Sequence, residues 1–92
     1  MPHAVVINVT IDQDSDREHR HSILHEFVLP GAKALAGFEK GMWMNDGTGT
    51  GVCVVVFDTE QHAKEAVEPL TPPGGPPISA CGIYEVEVEA QR

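Results

Sequence analysis

Residues 51–57 read Gly51-Val52-Cys53-Val54-Val55-Val56-Phe57, an unbroken apolar run in which four residues are valine. A strand with one face in water would alternate apolar and polar side chains, and this stretch does not alternate. Its β-branched residues favour a strand over a helix. We therefore predict an interior strand with both faces covered.

A second segment with apolar residues on both faces runs from Ala4 to Ile11. Its odd-numbered residues form a fully apolar face: Val5, Ile7, Val9 and Ile11. The even-numbered face is mixed, because Asn8 and Thr10 interrupt it. We predict that this segment is the other interior strand of the same sheet.

A helix is predicted to follow the first strand. Ser15-Asp16-Arg17-Glu18 matches the capping box, with Ser15 at the N-cap and Glu18 at the third helical position. Apolar residues then recur at helical spacing. Pro30 is expected to kink or restart this helix after Leu29, and Gly37 is expected to end it.

Two further strands are predicted at the edges of the sheet. Phe38–Met44 carries charge on both of its faces, which suits an edge strand, and residues 45–50 have the composition of a hairpin turn. The last strand is predicted at Ile78–Ala90. There Tyr84 and the valines after it would face inward, and the alternating glutamates would face water.

The remaining element is a short helix between the third and fourth strands. Asp58 or Thr59 is expected to cap it, and Pro69 is expected to limit its length. The order β-α-β-β-α-β predicts an α+β fold with an antiparallel, ferredoxin-like sheet, in one domain that spans residues 1–92. Both helices then lie on one face, so we predict that a second copy covers the other face in a homodimer.

The composition excludes several classes of function. The chain has 92 residues and a net charge of -8, from 14 acidic and 6 basic residues, with no basic patch for nucleic acid or an anionic membrane surface. No apolar run is long enough for a membrane span, and no secretory signal is apparent. Cys53 and Cys81 are expected to be reduced thiols in a cytoplasmic protein.

Two stretches carry a resemblance to a known family. Residues 28–38 resemble the helix end before the Pro-Gly-Phe phrase of the antibiotic-biosynthesis-monooxygenase-like proteins, with Ala36 in place of the proline. Residues 52–63 resemble the third strand of that family as it enters the second helix. The family forms dimeric α+β barrels, so the resemblance implies the same fold and a homodimer. It includes cofactor-independent monooxygenases, haem-degrading enzymes and stress-response proteins.

The resemblance implies candidate site residues. Asn8 stands where haem-degrading relatives have an Asn on the first strand, but Phe57 occupies the position of their Trp and no His follows far enough into the second helix. Haem and other cofactors are therefore not expected. The hypothesis is a monooxygenase that acts on a small aromatic or apolar molecule. Asn8 would orient the substrate, while Phe38, Trp43 and Phe57 would pack around it.

Each candidate has a simpler interpretation. For Asn8 the favoured interpretation is hydrogen bonding to neighbouring backbone or to a second copy, and for the aromatic residues it is ordinary core and dimer packing. The protein would then be a non-catalytic stress-response or ligand-sensing dimer of the same fold. His21 and His25 lie at i, i+4 near Glu18, a spacing that can chelate a metal, but a solvated face is the favoured interpretation and no metal site is predicted.

Overall fold

The four strands form one antiparallel sheet. The computed structural model describes residues 1–12 and 17–90. Its elements in chain order are β1 (His3–Thr10), α1 (Arg17–Ile23), a π-helical turn (Leu24–Val28), α2 (Leu29–Lys33), β2 (Phe38–Asn45), β3 (Thr50–Phe57), α3 (Glu60–Leu70) and β4 (Ile78–Glu85). The strand order is β2-β3-β1-β4. The prediction that the first and third strands are interior is confirmed, and the α+β architecture is compatible with a ferredoxin-like fold.

The core lies between the sheet and α3. β1 and β3 pair in a regular register from His3 opposite Phe57 to Thr10 opposite Thr50. Their odd-numbered side chains point to the same face of the sheet, because side chains alternate along a strand. The buried core residues on this face and on α3 are Val5, Ile7, Val55, Phe57, Ala63 and Ala66. Alanine on the buried side of α3 brings the helix backbone close to the sheet.

The helical layer before β2 is one run of residues 17–33 with a wider turn in its middle. The backbone N–H of Leu29 donates to the carbonyl of Leu24, an i to i−5 bond. Pro30 has no N–H, and in a regular α-helix its ring would clash with the carbonyl of Glu26. The run therefore widens before the proline and restarts as α2 at Leu29, in agreement with the kink or restart predicted at this point. The predicted capping residue Ser15 lies outside the described residues.

The other helix, α3, has the predicted cap and end. The hydroxyl of Thr59 accepts a hydrogen bond of 3.1 Å from the backbone N–H of His62, so Thr59 is the N-cap. The helix ends at Leu70, directly after Pro69. Within the described ranges, no helix has the length and apolar character needed to cross a lipid bilayer.

The predicted hairpin between β2 and β3 is present. The carboxylate of Asp46 accepts hydrogen bonds from the backbone N–H groups of Thr48, at 2.8 Å, and Thr50, at 3.1 Å. A hydrogen bond from the Thr48 side chain, followed by these backbone bonds, stabilises the ionised carboxylate and lowers the pKa of Asp46. The loop is thus an ordinary side-chain-stabilised turn.

The last strand is shorter than predicted. It ends at Glu85, and Val86 makes one more backbone bond, to the carbonyl of Pro2. Beyond this point β1 has no residues left to pair with. Tyr84, which was predicted to face inward, lies on the sheet face away from the helices and is 60 % exposed, while Ile83 packs on the core instead.

The residues after β4 cross the sheet. The ammonium of Lys40 on β2 lies 2.6 Å from the carboxylate of Glu89, although β2 and β4 are opposite edges. Ala4 and Val56 pair with each other along this path and are only 7 % and 6 % exposed. Residues 86–89 therefore cover one end of the sheet face that the helices leave uncovered.

We call this second face the open face. Helices do not cover it, and away from the crossing segment its apolar side chains are partly or fully accessible: Val6, Val52, Val54, Met42, Met44 and Tyr84. The two interior strands are thus apolar on both faces, as predicted, but only one of these faces is covered by helices.

Candidate binding site

A large cavity separates the sheet from the first helical run. Its volume is about 770 Å³, and it is partly open to solvent. We call it the helix-side cavity. Its floor is formed by side chains of the sheet, among them Ile7, Val9, Cys53 and Trp43. This volume lies within the range of about 300–1,000 Å³ that is typical of small-molecule sites.

The roof of the cavity consists of large apolar side chains that are not packed against the buried core. Leu24, Phe27 and Val28 line it from the π-helical turn, and Ile23 lines it from α1. Neither segment contains a buried residue, and Phe27 is 70 % exposed. The run approaches the sheet only toward its end, where Ala32 is buried. An apolar stripe that is held away from its sheet leaves room for another apolar molecule.

The connection between α3 and β4 forms one wall of the cavity. Leu70 and residues 72–76 line it, and three of these five residues, Pro72, Pro73 and Pro76, are proline. Proline fixes one backbone dihedral, so this segment is a stiff wall. Its proline and glycine content predicts a stiff connector, but nothing in the composition shows what the segment faces.

The ionisable side chains that line the cavity are basic, apart from the Cys53 thiol. Arg20 and His21 contribute from α1, and no Asp or Glu of the described residues lines the cavity. The chain as a whole has 14 acidic and 6 basic residues. The cavity thus differs in charge from the rest of the acidic surface.

Trp43 is the predicted site residue that lies at this cavity. A Cβ atom built on Gly41 would come within 2.9 Å of the Trp43 ring, so the indole lies flat across the glycine two residues earlier on β2. The indole can occupy this position because Gly41 has no side chain. The ring is half-buried and packs against the core while it also lines the cavity.

Cys53 is also in the cavity floor, opposite Trp43 on the paired strand. Burial disfavours the charged thiolate, and the nearby Cys81 adds a smaller effect, so the pKa of Cys53 is raised to about 11. Ile7 lies between the two cysteines, opposite Cys53 on one side and Cys81 on the other. Strands two apart are about 9–10 Å from each other, too far for a disulfide. Cys53 is an unreactive thiol at neutral pH.

Asn8 lies on the open face and not in the cavity. It pairs with Val52 of β3 and Ala80 of β4, and its neighbours Ile7 and Val9 line the helix-side cavity in its place. Because side chains alternate along β1, Asn8 and Trp43 are on opposite faces of the sheet. Asn8 cannot contact a molecule in this cavity of the same chain. Its predicted orienting role stays a prediction for the open face.

Phe38 and Phe57 lie in the core beside α3. Their ring centroids are 6.3 Å apart and their planes are at 82°, an edge-to-face pair. Phe57 is fully buried, and neither ring lines the cavity. The structure thus separates the four predicted site residues into three places: the open face, the cavity and the α3 core.

A smaller polar cluster lies at the start of α3. Asp58 and the His62 ring are joined by a hydrogen bond of 2.5 Å, and both lie over Gly37, where a Cβ atom would collide with them. This hydrogen bond raises the pKa of His62 and lowers that of Asp58. Gly37 also has φ of 78°, which favours glycine. The cluster connects the turn before β2 to α3. Because Asp58 is exposed and His62 is partly exposed, we interpret the cluster as a structural contact.

The histidines of the first helical run remain a surface feature. His19, His21 and His25 are exposed, and in the part of the chain that the structure describes no three His, Cys, Asp or Glu side chains are grouped closely enough to hold a metal ion. The structure gives the metal hypothesis no support.

The residues that form the roof were not identified from the sequence as site residues. The helical spacing of Ile23, Leu24, Phe27 and Val28 was visible, but the same spacing is typical of a stripe that packs directly on a core. The distance between helix and sheet is a tertiary property that periodicity does not report. Comparison of the chain with protein-family models and with curated proteins gives no match, so the resemblance to the monooxygenase-like family stays an expectation from the quoted residues.

Proposed function

We propose that the protein binds a small, mostly apolar molecule in the helix-side cavity. The observation that carries this proposal is the roof, where large apolar side chains line a space of about 770 Å³ and are not packed against the buried core. Burial of one such side chain contributes about 1.5–3 kcal/mol. A ligand that fills the space would bury these side chains, and this burial would stabilise the complex relative to the free protein.

A neutral alkyl alcohol tests this proposal without any assumption about a head group. 1-Decanol is titrated into the protein by isothermal calorimetry and, in parallel, by the fluorescence of Trp43, the chain's one tryptophan. Saturable binding with a change in Trp43 emission is expected. Phe27→Gln should weaken binding about tenfold, because it removes one exposed roof side chain.

The matched control is Met42→Gln on the open face. Met42 is 54 % exposed and does not line the cavity, so this variant should bind 1-decanol as the wild type does. Absence of binding to the wild type, or equal weakening by both variants, would contradict the proposal.

We further propose that the protein is a homodimer in which the open faces pack against each other. A chain of this size buries only about 60–65% of its unfolded surface by itself, and the open face leaves valines, methionines and Tyr84 accessible. A two-fold arrangement would place the same face of both copies in contact. Asn8 would then lie in or near the interface.

Sedimentation velocity at micromolar concentration tests the dimer. The wild type is expected at twice the chain mass, and Val54→Asp at the centre of the open face is expected at the mass of one chain, because an unpaired buried carboxylate is costly. Gln61→Asp on the exposed side of α3 is the control and should stay dimeric. A wild type that sediments as one chain would exclude this assembly.

Whether the bound molecule reacts is a separate part of the proposal. The monooxygenase hypothesis rests on the resemblance, and Asn8, which it would use to orient the substrate, lies on the sheet face away from this cavity. We therefore favour the alternative, a non-catalytic binding or sensing dimer. Oxygen consumption, measured with an electrode after an electron-rich phenol is added, separates the two: a rate above the buffer background would support the oxygenase.

A further inference from the structure

We propose that the helix-side cavity selects apolar molecules that end in a carboxylate, which Arg20 and His21 hold at its α1 side. This inference rests on the proposed binding function and adds the chemical class of the ligand. Arg20 is half-buried at the cavity, and His21 lies beside it in sequence on the same helix.

The charge of the lining favours an acid over an amine. Arg20 and His21 are the charged or chargeable nitrogen groups at the cavity, while no carboxylate of the described residues lines it. A bound ammonium group would therefore lie next to a guanidinium, and the described lining offers no carboxylate to receive it. A carboxylate would complement the guanidinium, whose planar donors match its two oxygens.

The donor capacity of Arg20 is sufficient for this role even with an intramolecular partner. A guanidinium has five N–H donors, and one carboxylate uses two of them. The imidazole of His21 adds a further N–H. The polar side chains thus supply donors at one end of the cavity, and Leu24, Phe27 and Trp43 supply apolar surface along it. This arrangement fits an amphiphilic molecule with one anionic end.

Three ligands with the same chain and different heads test the selectivity. Decanoate, 1-decanol and decylamine are titrated separately into the full-length protein by isothermal calorimetry at pH 8, below their micellar concentrations. Decanoate is expected to bind at least about tenfold more tightly than 1-decanol, because hydrogen bonds to charged groups are the stronger ones. Decylamine is expected to bind most weakly.

Two variants of α1 locate the effect. Arg20→Gln should reduce the affinity for decanoate about tenfold and leave that for 1-decanol within about twofold. Arg17→Gln is the matched control, because Arg17 is exposed, lies one turn away on the same helix and does not line the cavity. It removes the same net charge and should leave decanoate binding unchanged. The urea denaturation of each variant is measured first, and the selectivity of the wild type tests the proposal independently if Arg20→Gln does not fold.

The outcomes separate this inference from the function on which it rests. If decanoate and 1-decanol bind equally, or decylamine binds best, the carboxylate selectivity is overturned while the apolar site stands. If Arg17→Gln weakens decanoate binding as much as Arg20→Gln does, net charge is responsible and the assigned contact is wrong. If none of the three ligands binds, both the inference and the proposed function fail.

Discussion

The two helical layers cover the same sheet face in opposite ways. α3 packs directly on the sheet, with Ala63 and Ala66 buried against Phe57 and its neighbours. The run of residues 17–33 carries larger apolar side chains, contains buried residues only in α2, and leaves the helix-side cavity beneath it. The comparison shows that small residues on α3 close the core, while the larger residues on the other helical run leave a cavity beneath them.

The largest expected difference between the two regions is in their contribution to stability. Phe57→Ala removes a fully buried ring and should lower the free energy of unfolding by about 3–5 kcal/mol. Phe27→Ala removes the same side chain from the cavity roof, where it is 70 % exposed, and should cost less than about 1 kcal/mol. Urea denaturation monitored by circular dichroism measures both. Equal losses would mean that the roof is packed and the cavity is closed.

A glycine in the sheet and a glycine in the first helical run should respond to alanine substitution with opposite signs. A Cβ atom at Gly51 would come within 2.7 Å of Ile11 and 2.9 Å of Val9, so Gly51→Ala should destabilise the protein by about 1–3 kcal/mol. Gly31 has no atom within 4 Å of such a Cβ and lies in α2, so Gly31→Ala should stabilise by about 0.5–1 kcal/mol. The same denaturation assay tests the pair. A destabilising Gly31→Ala would show that the roof of the cavity is closely packed.

The two thiols report on access to the cavity floor. Because the pKa of Cys53 is about 11, only about one thiol in a thousand is ionised at pH 8, and Ellman's reagent should modify it at least about tenfold more slowly than the exposed Cys81. Cys53→Ser and Cys81→Ser assign the two rates. Bound decanoate should slow the reaction of Cys53 further and leave that of Cys81 unchanged. A Cys53 rate that decanoate does not alter would contradict binding over the floor.

The smallest expected effect is a pH dependence at the α3 end. The folded pKa of His62 is raised above 6.5 by its hydrogen bond to Asp58, so this bond stabilises the fold fully below pH 6.5 and its contribution is lost as the pH rises through the raised value. The pKa of Asp58 is lowered from 3.8, so its contribution is present above that pH and lost as the pH falls through the lower folded value.

The pair is therefore most stabilising between about pH 4 and 6.5. The melting temperature should fall less between pH 6 and pH 8 in His62→Gln than in the wild type. His25→Gln, at an exposed position of the π-helical turn, is the control and should retain the wild-type dependence. An unchanged profile in His62→Gln would show that the hydrogen bond does not persist in solution.

The sequence predicted the sheet well because strand burial is a local pattern. The uninterrupted apolar run at Gly51–Phe57 and the two apolar faces of Ala4–Ile11 identified the interior strands. The end of β4 was not predicted, since the alternation continues through Glu89 but the pairing depends on how far β1 extends. Similarly, Pro30 indicated an irregularity in the first helical run, but not that the widened turn precedes it.

The candidate site was much less predictable. Alternation shows that Asn8 and Ile7 are on different faces, yet only the packing of α3 determines which face is the core. The resemblance therefore grouped Asn8 with Trp43, although the sheet separates them. The distance between the roof and the floor depends on how residues 17–33 dock, and no spacing in the sequence encodes it.

The most direct test of the account is where a bound apolar molecule lies. Isotope-filtered nuclear Overhauser spectra of methyl-labelled protein with decanoate report which side chains are within about 5 Å of the alkyl chain. The account predicts contacts to Ile7, Val9 and Leu24 around the cavity and none to Val6 or Val54 on the open face. Contacts to the open-face valines, with none to Leu24, would show that the ligand lies on the other side of the sheet and would contradict the assignment.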